Sequence, residues 1–118
     1  MCLVIDREIT RKMKKKNRQY FYFWKVVNKV EGKYYSPFRG ILIHKDKVNI
    51  AKGKLRICSC NEINGGVFHA YAVRQAAREK IDDIDSETVI KVKVKKGHVR
   101  YFGTDRDVCF TKFMIVPQ

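Results

Sequence analysis

No apolar run in this chain approaches the roughly 20 residues that a helix needs to cross a bilayer, so no membrane span and no membrane partner are expected. The opening Met1-Cys2-Leu3-Val4-Ile5 is apolar, but charge follows at once with no cleavage region. A secretory leader is therefore not expected, and the sequence reads as that of a cytosolic protein. The chain also lacks an internal repeat and a low-complexity linker. At 118 residues it is read as one domain, residues 1–118, long enough to bury a core. Three signatures of chemistry are missing: a glycine-rich phosphate loop, a pair of histidines one helical turn apart and a nucleophile elbow. Without them, no cofactor is expected.

Acidic residues are scarce. Twelve Asp and Glu stand against 26 Lys and Arg, for a formal charge of +14. Five of the acids, Glu79, Asp82, Asp83, Asp85 and Glu87, are crowded into nine residues with Lys80, leaving the remainder of the chain at +18. A field of that sign accelerates encounter with polyanions and favours phosphate contacts through counterion release, although a basic surface can also serve solubility alone.

The cations fall into two clusters. In residues 1–19, Asp6 is placed to cap a helix, and Ile9 and Met13 lie one turn apart as anchors. Arg7, Arg11, Lys14, Lys15 and Arg18 then share another face, as a phosphate-facing helix or a solvated arm. The second cluster is Lys91, Lys93, Lys95, Lys96 and Arg100. Here Ile90, Val92 and Val94 alternate with lysines, the period of a strand with one face in the core.

Between the clusters lies Tyr20-Phe21-Tyr22-Phe23-Trp24, of strong strand composition. Tyr20, Tyr22 and Trp24 share one face. They could stack on unpaired bases, as could Tyr101, but dense aromatics also make the core of small sheets. A hairpin is expected at 28–33 with Gly32 at its tight position, turns at 36–40, 60–66 and 104–107, a polar loop over 44–54, and a last strand over 108–116. Val73, Ala76, Ala77 and Ile81 predict the main helix over 71–82. The expected architecture is α+β: a mainly antiparallel, twisted sheet of five to six strands on one main helix, with a basic N-terminal helix or arm (1–19) ahead of an α+β core (20–118).

Catalytic and metal readings rest on little. His69, just before the helix, is the best-placed general base of a small nuclease or transferase, or the partner of a Cys58 or Cys60 thiolate. A lone histidine beside an apolar run also serves as a hydrogen-bonded structural residue. Without an export signal, Cys2, Cys58, Cys60 and Cys109 are expected to be reduced. Cys58, Cys60 and His69, with Cys109, could form a zinc tetrahedron, but the two close ligand pairs usual in structural zinc sites are not present.

The opening MCLVID, the YYSPFRG segment, the Gly66-x-x-His69-Ala70 element and the strands VIKVKV and VCFTKFMIV occur in that order. On these motifs the chain resembles the small uncharacterised basic proteins encoded by bacteriophages and mobile elements, over roughly its whole length. The resemblance implies an accessory protein acting on a nucleoprotein in the host-cell cytosol, of the anti-defence type that includes CRISPR inhibitors. A strongly cationic member suits binding to RNA or to an RNA-guided effector complex, because DNA mimicry needs the opposite charge. The combined expectation is a non-enzymatic RNA or ribonucleoprotein binder. A His69 enzyme and a protein-interaction module that works through its acidic 79–87 segment are the alternatives. The sequence does not set the oligomeric state.

Overall fold

A computed structural model describes residues 4–36, 42–58, 63–104 and 109–117. In chain order the elements are β1 (Ile5–Asp6), α1 (Arg7–Lys14), β2 (Tyr20–Val30), β3 (Lys33–Tyr35), β4 (Leu42–Ile43) and β5 (Val48–Ile50). There follow β6 (Arg56–Ile57), β7 (Ile63–Asn64), β8 (Phe68–Ala70), α2 (Arg74–Arg78) and β9 (Glu87–Lys95). A 3-10 turn (Lys96–His98), β10 (Val99–Gly103), β11 (Cys109–Thr111) and β12 (Phe113–Ile115) complete the order.

The fold is α+β, and its strands are arranged in more than one sheet. A six-stranded sheet runs β4-β3-β2-β9-β12-β5, a four-stranded sheet runs β1-β10-β11-β8, and β6 and β7 form a short ribbon. The pairings within these sheets are all antiparallel. The expected final strand over 108–116 divides at Lys112: β11 pairs with β8 and β12 with β9, so the chain turns a corner from one sheet to the other. The Thr111 hydroxyl lies 2.9 Å from the His98 carbonyl oxygen and 2.8 Å from that of Phe113, which fixes the corner internally. A second junction is the bridge between Trp24 and Tyr71, each backbone N–H donating to the other's carbonyl at 2.7 Å.

Alternation along β2 and β9 builds the core. Phe21, Phe23 and Val27 on β2 and Val92 and Val94 on β9 turn inward, to meet Phe68, Val99, Phe102 and Met114. The phenylalanine rings of residues 21, 23 and 102 lie about 6 Å apart, at 5.8, 6.0 and 5.9 Å between centroids. Burial of these side chains, each worth roughly 1.5–3 kcal/mol, is the main stabilising contribution. At the far end of β2 the chain reverses over Glu31 and Gly32, both with positive φ (51° and 78°), as a two-residue hairpin turn demands.

α1 forms as its sequence predicts. The Asp6 carboxylate accepts from the N–H groups of Glu8 and Ile9, both at 3.0 Å, and Ile9 and Met13 pack on the phenylalanine core. The buried Thr10 hydroxyl donates to Asp6 O at 2.6 Å and accepts from Phe102 N at 2.8 Å, clamping the helix to β10. The helix ends at Lys14 and is the longer of the two described, so the one main helix lies at the N-terminus and not over 71–82.

The expected helix over 71–82 shrinks to five residues for two reasons. Tyr71 has committed its backbone N–H and C=O to Trp24 and cannot join a helix. Glu79, Asp82 and Asp83 oppose the dipole at its C-terminal end, and the N–H groups of Asp82 and Asp83 instead donate to the Glu87 carboxylate at 3.0 and 2.8 Å. The expected loop over 44–54 contains a strand, β5. Asn49 within it is buried, accepting from His44 N at 2.8 Å and donating to His44 O at 2.9 Å. The expected turn over 60–66 contains β7. The expected turns at 36–40 and 104–107 lie largely outside the described residues.

Candidate nucleic-acid interface

The outer face of the β2–β9 pair is where the sequence-predicted aromatics and lysines meet. Backbone register sets Tyr20 opposite Lys95, Tyr22 opposite Lys93 and Trp24 opposite Lys91. The side chains lean diagonally: the Lys93 ammonium lies 4.1 Å from the centre of the Tyr20 ring, and that of Lys91 lies 4.7 Å from Tyr22 and 5.9 Å from Trp24. Tyr20 is 38 % exposed and Tyr22 is 50 % exposed, and Lys91 and Lys95 are also open to solvent. The two phenylalanines between them point the other way, into the core. The aromatic run is thus divided by its pleat into a buried face and a solvent face.

Coverage of this outer face decides what it can do. α2 packs Ala76 and Ala77 over the Val26 and Val89 end, joined by Tyr71, and the Arg74 guanidinium caps Trp24 at 5.4 Å. α2 spans five residues, about 7.5 Å, and Tyr20 and Tyr22 remain exposed beside it.

From Lys95 the cationic path continues to the N-terminal cluster. Gln19 O accepts from Lys96 N at 2.8 Å, and the Lys96 ammonium donates to Lys16 O at 2.7 Å. Farther on, the Lys14 ammonium reaches Arg100 O at 3.4 Å, and the Arg7 guanidinium lies 5.6 Å over the Tyr101 ring. The structure therefore brings the two basic clusters together along the α1–β10 contact. It does not extend the expected helical stripe through all five cations: Arg7, Arg11 and Lys14 are in α1, Lys15 caps it, and the exposed Arg18 follows it. Tyr101 is half-buried against the cluster of Ile5, Val26, Tyr71 and Phe110 and is less open than Tyr20 or Tyr22. Lys16 and Arg74 join the region through contacts across long sequence separations, for which the sequence carries no local signal.

His69 lies on β8, half-buried, with its ring edge-on to Tyr71 at 6.4 Å. Burial, and then the positive charge of Lys25, push its imidazolium pKa down to about 3. A group that holds its proton so weakly has little drive to act as a general base near neutrality. Lys25 is itself in the core, 1 % exposed, donating to His69 O at 3.0 Å, and burial lowers its pKa to about 8.

The expected reduced thiols and the metal reading are corrected in part. Cys58 is disulfide-bonded, which removes it as a thiolate ligand. Cys109 is buried with its thiol pKa pushed up by burial. Cys2 and Cys60 lie outside the described residues. Among the described residues no three His, Cys, Asp or Glu side chains converge as a metal site.

A pocket of about 510 Å³ lies beside Lys91, lined by Tyr34, Lys45, Ile90, Val116 and Pro117. None of these residues is an acid or a histidine; the polar groups of the lining are the Tyr34 phenol and the ammonium groups of Lys45 and Lys91. No helix among the described residues is long and apolar enough to cross a membrane. Compared with protein-family models, curated proteins and solved structures, the chain matches none of them.

Proposed function

We propose that this protein is a non-enzymatic binding protein that engages RNA, free or within a ribonucleoprotein such as an RNA-guided effector complex. The observation that carries the reading is the solvent-facing ladder of Tyr20 and Tyr22 interleaved with Lys91, Lys93 and Lys95. Like charges repeated along one strand repel one another modestly in water, a polyanion lying against them turns that repulsion into attraction, and tyrosine faces contribute about 0.5–1 kcal/mol per lysine. Arg7, Arg11, Lys14, Lys96 and Arg100 would extend the phosphate contacts beyond the ladder. The resemblance to small phage and mobile-element proteins favours an anti-defence role, with the effector's guide RNA as the polyanion.

The test is the salt dependence of binding to RNA. The logarithm of affinity is expected to fall linearly with the logarithm of salt concentration, and Lys93→Ala is expected to lower the slope by about 0.7 for a single strand. A flat salt response would exclude the phosphate mechanism. Purification from host lysate with and without RNase then separates an RNA-dependent partner, the expected result, from one held by protein contacts alone.

A further inference from the structure

We infer that the ladder selects single-stranded RNA over duplex, with Tyr20 and Tyr22 each taking one unstacked base; this rests on the nucleic-acid reading above and narrows it. Both tyrosines point outward from the same strand, two residues apart, and both are substantially exposed. Alternate side chains of an antiparallel strand lie about 6.8 Å apart, two steps of about 3.4 Å. Stacked bases in a duplex strand are about 3.4 Å apart and hide their faces from one another. Neighbouring bases can therefore meet the two rings only after unstacking, which a single strand does readily and a duplex does not.

The lysines fit the same geometry. Lys91, Lys93 and Lys95 repeat at the tyrosine interval on the adjoining strand. In the free protein the ammonium groups of Lys91 and Lys93 occupy the faces of Tyr22 and Tyr20. An arriving base takes that face, and the displaced ammonium turns to the phosphate beside it. The cation–π pair is thus exchanged for a stack and a phosphate contact, with no unpaired charge left behind. The capped Trp24, with Arg74 and Lys91 against its ring, marks the closed end of the ladder.

Fluorescence anisotropy with labelled oligouridylate of about twelve nucleotides, against an RNA duplex of the same length, tests this; single-strand sites span roughly 4–16 nucleotides. The expected result is single-strand binding at least about tenfold tighter than duplex binding. Tyr22→Thr, which keeps strand propensity, is expected to weaken oligouridylate about tenfold and leave duplex affinity unchanged, whereas Tyr22→Phe, which keeps the ring, retains binding. Matching melting temperatures establish that the variants fold. Equal affinity for the two probes, insensitive to Tyr22→Thr but weakened by Lys93→Ala, would overturn the single-strand inference and leave the phosphate reading standing. Binding to neither probe would overturn both.

Discussion

A lysine in the centre of a phenylalanine core should leave a measurable mark on stability. Lys25 is 1 % exposed, its ammonium lies 5.6 Å over the Phe68 ring, and its hydrogen bond to His69 O is 3.0 Å long. Burial lowers its pKa from 10.5 to about 8, so near neutrality the folded protein holds a charge that the core disfavours. A gap of that size corresponds to about 3 kcal/mol. Its sign follows from proton counting. Between pH 8 and 10.5 the unfolded chain keeps a proton that the folded chain releases, so this lysine makes stability rise with pH through that window. Lys25→Met keeps the length of the side chain and removes the charge together with its hydrogen bond to His69 O, a loss of about 1–3 kcal/mol. The diagnostic quantity is the stability of Lys25→Met minus that of the parent, from urea unfolding at a series of pH values. It is expected to be largest near pH 7 and to fall by about 3 kcal/mol by pH 10.5. A difference that stays constant with pH would mean that Lys25 titrates alike in both states, and the account of a desolvated core lysine would be refuted.

Other perturbations probe separate parts of the fold. His69, with its imidazolium pKa depressed towards 3, contributes a loss of stability as pH falls from about 6.5 towards 3, because the unfolded chain binds the proton first. His69→Gln should flatten that acid limb by an amount on the order of a few kcal/mol, read by unfolding at pH 7, 5 and 4. Thr10→Val strands the buried Phe102 N–H and is expected to cost about 2 kcal/mol, seen as a lower melting temperature and faster hydrogen exchange in α1. Gly66 has φ +71°, and a Cβ there would overlap the backbone of Leu55; Gly66→Ala should destabilise by more than about 1 kcal/mol in chemical denaturation.

Local chemistry made part of this structure legible in the sequence. The Asp6 cap, the Ile9 and Met13 anchors, the positive-φ Gly32 and the alternation of valine with lysine in β9 are all local rules, and each has its counterpart in the fold. The same alternation placed Tyr20 and Tyr22 on the face of β2 opposite Phe21 and Phe23, because a pleat admits no other arrangement. The apolar spacing over 71–82 is genuine, yet Tyr71 is drawn away from the helix by a partner 47 positions earlier in the chain. β5 has no comparable signal, because three residues among lysines carry little periodicity and Asn49 supplies hydrogen bonds that composition does not reveal.

The candidate site divides along the same line. Period-two alternation assigns faces before any folding, so which residues could stack and which could meet phosphate is legible in the chain. Which face is covered is settled by packing. That choice depends on pairings between distant segments: the Trp24–Tyr71 bridge takes Tyr71 out of α2, Arg74 at the start of that helix covers Trp24, and the register of β9 sets its lysines against the two exposed tyrosines. The packing of α1 on β10, held by Thr10 and Phe102, likewise joins two basic clusters that stand some 80 residues apart in the chain. Such contacts depend on the global balance of burial and loop closure, which no local spacing encodes.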